Sequence, residues 1–170
     1  MVLSTRKITT IALLGALTAV LGITGLGLIP VPTAAGRATI LHVVVILATL
    51  LEGPVVGIFV GLIFGFTSFF TAANPLLMHP VVAILPRVLI AVTTYCVFRL
   101  IKNDTLSATL SAVVGSATNT IGVLGLGVLF KLIPYQAALG VAALHGIPEA
   151  VLAAVITLLL YRIIKKIRKK

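Results

Sequence analysis

Charged side chains are scarce in this sequence. Asp, Glu, Lys and Arg make up 9% of the 170 residues, whereas soluble domains carry about 25%. Acidic residues are the rarest, with three Asp and Glu against 13 Lys and Arg, and 60% of the residues are hydrophobic. This composition predicts an integral membrane protein, and the chain length predicts one compact domain over residues 1–170 without a separate soluble domain.

Other absences exclude whole classes of site. The single cysteine, Cys96, lies in an apolar run, which excludes a disulfide framework and a cysteine-based metal site. The sequence has no G-x-x-x-x-G-K-[ST] phosphate loop for nucleotide hydrolysis. It also has no His, Cys and carboxylate cluster with metal-ligand spacing, and no nucleophile with a base at helical spacing. We therefore expect no catalytic residue, no metal and no cofactor, and so a protein that is not an enzyme.

Six hydrophobic segments predict an all-α membrane protein, a compact bundle of six transmembrane helices. They cover about residues 8–28, 39–51, 55–72, 79–100, 106–130 and 139–164. The second segment is short for a span, so five spans with a re-entrant piece is the alternative.

Lys and Arg are distributed unevenly between the two ends of these segments. With the N-terminus in the cytoplasm, ten of them fall on the cytoplasmic side, and only Arg37 and Lys131 fall on the outer side. Because short cytoplasmic loops carry an excess of Lys and Arg, this distribution predicts that both termini are cytoplasmic. The positive charge therefore indicates contact with anionic membrane lipid and not with nucleic acid.

The fourth segment carries Pro86 and Arg87 about a third of the way along its length. Proline removes the hydrogen bond to the carbonyl of Val82 and tends to kink the helix. A cation at this depth costs about 3 kcal/mol on insertion scales, so it needs a compensating partner. The identity of that partner decides which function the sequence predicts.

Polar residues of two other segments fall at the depth of Arg87. At a rise of 1.5 Å per residue, Arg87, Asn119 and Glu149 all lie about 12–17 Å below the outer surface. His145 precedes Glu149 by four residues and shares its helix face, with Pro148 loosening the backbone between them. The fifth segment also has a stripe of small and polar residues at helical spacing, namely Ser111, Gly115, Thr118 or Asn119, and Gly122.

Two interpretations of these polar residues are open. In the first, Arg87 and Glu149 form a structural ion pair, and Asn119 hydrogen-bonds between helices. In the second, a cavity open to the outside lets Arg87 bind an anionic group of a small solute. Asn119, His145 and Glu149 then contact the polar parts of that solute. We favour the cavity, because an internal ion pair needs neither a polar stripe nor two kinked helices.

Further polar residues lie near the outer ends of the segments. Asn74, in the turn 73–75, is a candidate for the cavity entrance, although an Asn-Pro turn explains it equally well. His42 is a further candidate for lining the site, and interfacial capping is its ordinary alternative. The loop 29–38 (IPVPTAAGRA) cannot be helical throughout. It either folds over the cavity mouth or forms an ordinary interfacial loop.

Small residues form faces on two segments. Gly57, Gly61 and Gly65 recur every four residues in the third segment, and this spacing predicts close helix packing. Ala12 and Ala16 form a similar face on the first segment. That face either packs internally or docks another membrane protein.

Four stretches resemble the substrate-binding S-components of energy-coupling factor (ECF) transporters, which import vitamins in prokaryotes. They are residues 38–42 (ATILH), 83–87 (AILPR), 115–120 (GSATNT) and 145–150 (HGIPEA). With the basic start 5–7 (TRK) and the Ala12-x-x-x-Ala16 spacing, the resemblance covers nearly the whole chain. The stretches are most similar to the pantothenate-type branch, while folate, riboflavin and hydroxymethylpyrimidine members share much of the framework.

The resemblance implies a substrate-binding subunit in the plasma membrane of a prokaryote. It implies that the vitamin binds from outside under a lid made by the first loop. It also implies that Ala12 and Ala16 dock onto a T-component, with two ATP-binding cassette ATPases supplying the energy. Pantothenate has one carboxylate, two hydroxyls and an amide, which suit a site with one Arg plus Asn, His and Glu.

Two other functions remain as alternatives. One is a stand-alone secondary transporter that uses Glu149 as a proton-coupling site. The other is a membrane scaffold in which Arg87 and Glu149 are structural. The first alternative predicts uptake by the chain alone. The second predicts that no vitamin changes the thermal stability of the protein.

Overall fold

A computed structural model describes residues 3–30 and 37–168. The described chain folds into seven α-helices, with a π-helical turn, Ala142–Gly146, between the last two. The α-helices are α1 (Thr5–Ile23), α2 (Leu41–Glu52), α3 (Pro54–Phe70), α4 (Pro80–Leu100), α5 (Asp104–Leu129), α6 (Tyr135–Val141) and α7 (Ile147–Arg168). The predicted helical class of the fold is confirmed.

Two short strands depart from the all-α prediction. β1 (Leu28–Pro30) and β2 (Arg37–Thr39) pair antiparallel, with Leu28 opposite Thr39. Proline in this segment fixes φ and prevents a continuous helix, so the backbone is extended and pairs with itself. Residues 31–36 of the predicted loop lie outside the described residues. The two strands are called the hairpin below.

Four helical segments of the described chain are long and apolar enough to cross a membrane. They are α1, α4, α5 and the continuous rod Tyr135–Arg168, which joins α6, the π turn and α7. α2 has 12 residues and α3 has 17, which correspond to about 18 Å and about 26 Å of helix. Both are shorter than the hydrocarbon core of about 30 Å. A count of six spanning helices therefore stays a prediction.

α2 is the central helix of the bundle. Every residue from 41 to 50 is buried, and α2 contacts α1, α3, α4, α5 and α7. A helix that is apolar on all sides is stable where its neighbours cover all of them. α2 is therefore covered by its neighbours along residues 41–50.

Glycines bring α4 into close contact with the helices on both sides of it. A Cβ atom on Gly61 of α3 would lie 2.5 Å from the carbonyl oxygen of Arg87, closer than real Cβ contacts allow. A Cβ atom on Gly122 of α5 would lie 2.9 Å from Cβ of Pro86. The close packing predicted for the Gly57–Gly61–Gly65 face is confirmed. The Pro86–Arg87 step is held between α3 and α5.

Ion pairs join the helices at one end of the bundle, called the basic end below. Glu52 Oε1 accepts hydrogen bonds from Arg6 at 3.1 Å and from Arg168 at 2.5 Å, and so ties α1, α2 and α7 together. Asp104 at the start of α5 pairs with Lys165 of α7 at 2.5 Å. Since the chain has three acidic residues, only Glu149 is left for the opposite end. That opposite end carries the hairpin and is called the hairpin end.

Candidate functional site

Arg87 is held by a carbonyl group that its neighbour Pro86 leaves without a helical partner. In a regular helix the Val82 carbonyl accepts from the N–H of residue 86, and proline has none. Nη1 of Arg87 donates to this carbonyl at 2.9 Å. The lost helix bond was predicted from the sequence, and the structure shows which group replaces it.

The Arg87 guanidinium has no acidic partner at ion-pair distance in the described part of the chain. The side chain is buried, with 4% of the residue exposed. Its carbon Cζ lies 5.3 Å from the centre of the Phe64 ring, which is a cation–π contact. Nε has no hydrogen-bond partner among the described residues. The direct Arg87–Glu149 ion pair of the first interpretation is therefore not formed.

Glu149 hydrogen-bonds to the hairpin and to α5 instead. Oε1 accepts the backbone N–H of Thr39 at 2.9 Å, and Oε2 accepts the hydroxyl of Thr120 at 3.1 Å. Nδ1 of His42 lies 3.9 Å from Oε1, and the Glu149 side chain is 4% exposed. One carboxylate thus links β2, α5 and α7.

The π-helical turn lies directly before Glu149. Pro148 lacks an N–H, and its ring would clash with the carbonyl four residues earlier in a regular helix. A π turn accommodates this by widening the helix, and such turns are frequent at functional sites. The backbone irregularity predicted at Pro148 is thus a π-helical turn. His145 and Glu149, on either side of Pro148, both line the same cavity.

Two cavities at the hairpin end share Arg87 as a lining residue. The smaller one, called the Glu149 chamber, has a volume of about 190 Å³. Its polar lining comes from β2, the turn before α4, α4, α5, the π turn and α7. These residues are Thr39, Asn74, Arg87, Asn119, Thr120, His145 and Glu149.

The larger cavity, called the α3 chamber, has a volume of about 490 Å³. It is also lined by Thr39, Asn74 and Arg87. Its volume falls in the range of about 300–1,000 Å³ that is usual for small-molecule sites. Among the described residues, Arg87 is the one charged side chain that lines both chambers.

Sequence reasoning missed three hydroxyl residues that line the α3 chamber, namely Thr67 and Ser68 of α3 and Thr71 directly after it. Thr67 donates its hydroxyl hydrogen to the carbonyl of Ile63 at 2.8 Å, and Thr71 donates to that of Thr67 at 2.7 Å. Their oxygens can still accept hydrogen bonds from a solute. The available signal was three hydroxyl residues within five positions at the end of an apolar segment.

Five of the six predicted substrate contacts line these chambers, namely Asn74, Arg87, Asn119, His145 and Glu149. Oδ1 of Asn119 is buried without a hydrogen-bond partner in the described chain. Oδ1 of Asn74 accepts the N–H of Leu77 at 3.0 Å, so this residue both closes its turn and lines the chambers.

His42, the sixth predicted contact, lines neither chamber in the described part of the chain. It is 1% exposed and lies beside Glu149. His42 is covered because α2 is the central helix, so that even its first turn is surrounded by neighbours. Direct contact of His42 with a solute stays a prediction.

Ala12 and Ala16 are exposed on α1, on a face that includes the exposed residues Leu13 and Leu17. The buried residues of α1, Gly15 and Thr18, lie on the opposite side of the helix. Gly15 beside the alanine face packs internally against Ile63 of α3, whereas Ala12 and Ala16 themselves do not pack inside the bundle. Docking of Ala12 and Ala16 onto another membrane protein stays a prediction.

The site combines a buried cation that has no acidic partner at ion-pair distance, Arg87, with hydrogen-bonding side chains and one carboxylate, Glu149, whose two oxygens accept from Thr39 and Thr120. Among the described residues, no group of three or more His, Cys, Asp or Glu could hold a metal ion. An anionic group beside Arg87 would form charge-assisted hydrogen bonds, which are about twice as strong as neutral ones. The arrangement can therefore bind a small anionic solute that also carries hydroxyl or amide groups.

Comparisons with known proteins agree with this geometry. The chain matches the family model described as ECF transporter, substrate-specific component, over residues 6–161. It is 30% identical over 146 residues to the pantothenic acid transporter PanT of Lactococcus lactis subsp. cremoris (strain MG1363), covering 71% of this chain and 74% of that protein. The resemblance stated from the sequence is thereby confirmed.

A solved structure of the S component of a bacterial ECF transporter has the same fold. Its TM-score with this chain is 0.74 at 23% sequence identity, over 97% of this chain and 98% of the other. At this identity the likeness concerns the fold alone. The family match includes every residue that lines the two chambers. The chain therefore belongs to the family of substrate-specific components of ECF transporters.

Proposed function

We propose that this chain binds a water-soluble vitamin, pantothenate, and delivers it to the other subunits of an ECF importer. The observation that carries the proposal is the buried Arg87 guanidinium, which lines two chambers with no acidic partner at ion-pair distance among the described residues. The PanT relative is named for pantothenic acid and supports the same solute.

The chemistry of pantothenate fits the lining of the chambers. Its carboxylate would bind Arg87, and the carbonyl oxygen of Asn119 would accept from its amide or a hydroxyl. The hydroxyl oxygens of α3 offer further acceptors to its two hydroxyls. In the described lining, Phe64 is the single Phe, Tyr or Trp, and His145 supplies the other ring. Flat ring systems such as folate, riboflavin and hydroxymethylpyrimidine therefore fit less well.

The proposal includes an orientation in the plasma membrane of a prokaryote. Six spanning helices, cytoplasmic termini and an outward-facing hairpin end would let solute enter the chambers from outside. The excess of Lys and Arg at the basic end supports this orientation. The short helix α2 would cross the membrane surrounded by the other helices.

The proposal also includes the partners of the family. The exposed Ala12 and Ala16 would contact a T-component, because small residues let helices approach closely in lipid. Two ATP-binding cassette ATPases would then supply the energy. The chain has no phosphate loop of its own, which is consistent with that division of labour.

The purified protein in detergent, titrated against a panel of B vitamins, tests the solute assignment. Pantothenate at about 100 times its dissociation constant should stabilise the fold by about 2.7 kcal/mol, which appears as a rise in Tm. Riboflavin and folate at the same concentration serve as controls. A rise in Tm with another vitamin, and none with pantothenate, overturns the assignment.

Proton-coupled transport through Glu149 is the second candidate, because this acid is buried in the site. Uptake by the chain alone in liposomes, driven by a proton gradient, would favour that candidate. ATP-dependent uptake that appears only with the partner subunits supports the importer.

A further inference from the structure

Thr39 lies where the hairpin joins the site. It is the last residue of β2, pairs with Leu28 of β1, and lines both chambers. Its hydroxyl accepts the N–H of Leu41 at 3.2 Å, at the start of α2. Thr39 is therefore one of the residues that form the wall common to the two chambers, together with Asn74, Leu77 and Arg87.

The hairpin is too short to hold this position by its own strand pairing. Each strand has three residues, and even longer isolated two-stranded ribbons are marginally stable in water. The bond from the Thr39 N–H to Glu149 connects the hairpin to the long helices. The second oxygen of Glu149 is fixed by Thr120, so the acceptor itself is held in place.

We infer that Glu149 is a positioning residue that fixes β2 against α5 and α7 and so keeps Thr39 in the chamber wall. This inference rests on the proposed function, because it assigns Glu149 a role in retaining the solute. Glu149 lines the Glu149 chamber, but both of its oxygens already accept from protein donors. A carboxylate would also repel the carboxylate of the solute held at Arg87.

Glu149→Gln and Glu149→Ala separate this role from a direct contact through charge. A glutamine retains an oxygen for the Thr39 N–H, and its amide can donate to the hydroxyl oxygen of Thr120. Both bonds are thus kept without the charge. An alanine removes both bonds and leaves the Thr39 N–H without its acceptor.

Hydrogen exchange of the Thr39 amide, measured by NMR on the solute-free protein in detergent micelles, tests the bond directly. We expect exchange at least about tenfold faster in Glu149→Ala, and within about threefold of wild type in Glu149→Gln. Unchanged Thr39 exchange in Glu149→Ala would overturn the inference. This readout needs no solute, so it stands even if pantothenate is the wrong vitamin.

Binding kinetics with pantothenate test the consequence for the solute. In Glu149→Ala the dissociation rate should rise by about tenfold or more with a smaller change in the association rate, because the chamber wall is loosened. Pantothenate should dissociate more slowly from Glu149→Gln than from Glu149→Ala, because the glutamine keeps an acceptor for the Thr39 N–H. If Glu149→Gln loses affinity as Glu149→Ala does while its Thr39 amide stays protected, the charge contacts the solute and the inference is overturned. Lack of pantothenate binding by the wild type overturns the solute assignment, and the exchange result then decides the inference alone.

Discussion

Nη1 of Arg87 lies 2.9 Å from the carbonyl oxygen of Val82 and donates a hydrogen bond to it. The carbonyl is available because residue 86 is a proline. The internal proline and the buried cation are thus one feature, in which the sequence step Pro86–Arg87 removes a helix bond and supplies its replacement. The other N–H groups of the Arg87 guanidinium can therefore donate to an anionic group of a bound solute.

Pro86→Ala tests this relationship. The new N–H would compete with Arg87 for the Val82 carbonyl, so the guanidinium would lose its fixed orientation. We expect the affinity for pantothenate to fall by about tenfold, since hydrogen bonds to charged groups contribute about 1.5–3 kcal/mol. Isothermal titration calorimetry measures the change. Pro54→Ala is the matched control, because Pro54 is the first residue of α3, where a missing N–H costs nothing. Unchanged affinity in Pro86→Ala would contradict the proposed link between Pro86 and the orientation of Arg87.

Gly61→Ala tests the contact between α3 and α4. The added Cβ would lie 2.5 Å from the carbonyl oxygen of Arg87, so the helices must separate. We expect a loss of about 1–3 kcal/mol of unfolding free energy, seen as a lower Tm in detergent. Gly125→Ala has no neighbouring atom within 4 Å of the new Cβ and should retain or raise the Tm. Equal Tm values for the two variants would show that close packing at Gly61 is dispensable.

Asn119→Leu separates binding from stability. Oδ1 of Asn119 has no partner in the described protein, so an apolar side chain of similar size should leave the Tm unchanged or raise it. The affinity for pantothenate should fall by about tenfold, because the solute loses an acceptor. Thermal unfolding and calorimetry on the same sample measure both effects.

Asn103→Ala is the control for Asn119→Leu, because it should behave in the opposite way. Asn103 caps α5 by accepting the N–H of Leu106, and its loss should cost about 1 kcal/mol of stability. Its effect on affinity should be small, since Asn103 is at the basic end. A lower Tm and wild-type affinity in Asn119→Leu would show that Asn119 is structural.

Ala12→Leu and Ala16→Leu test the proposed docking face. Both side chains are exposed, so the variants should keep the Tm and the pantothenate affinity of the wild type. Uptake of labelled pantothenate by cells that contain the partner subunits should fall by about tenfold, because bulky residues prevent close helix approach. Ala137→Leu makes the same exchange at an exposed position of α6 and should not affect uptake. Normal uptake in the Ala12 and Ala16 variants would remove this face from the proposed interface.

The sequence predicted the features that depend on one helix and its depth. Hydrophobic length located the long helices, and counting residues from their ends brought Arg87, Asn119 and Glu149 to one level. Proline chemistry predicted the free carbonyl of Val82. These predictions follow from helix geometry, because the rise per residue and the hydrogen-bond pattern of an α-helix are constant.

The features that sequence reasoning missed depend on contacts between elements. The central place of α2, and with it the burial of His42, depends on how five helices pack around it. Strands of three residues are too short to produce a hydrophobic alternation. The hydroxyls of α3 resemble ordinary intrahelical Ser and Thr until a chamber is seen beside them.

The most direct test of the account is calorimetric titration of pantothenate into wild type, Arg87→Gln and Arg99→Gln. Arg99 is an exposed arginine of the same helix and controls for the loss of a positive charge. Breaking a buried charge pair costs about 3–5 kcal/mol. We therefore predict binding that is at least about a hundredfold weaker in Arg87→Gln, and wild-type binding in Arg99→Gln. Wild-type affinity in a folded Arg87→Gln protein would contradict the claim that this buried cation receives the solute.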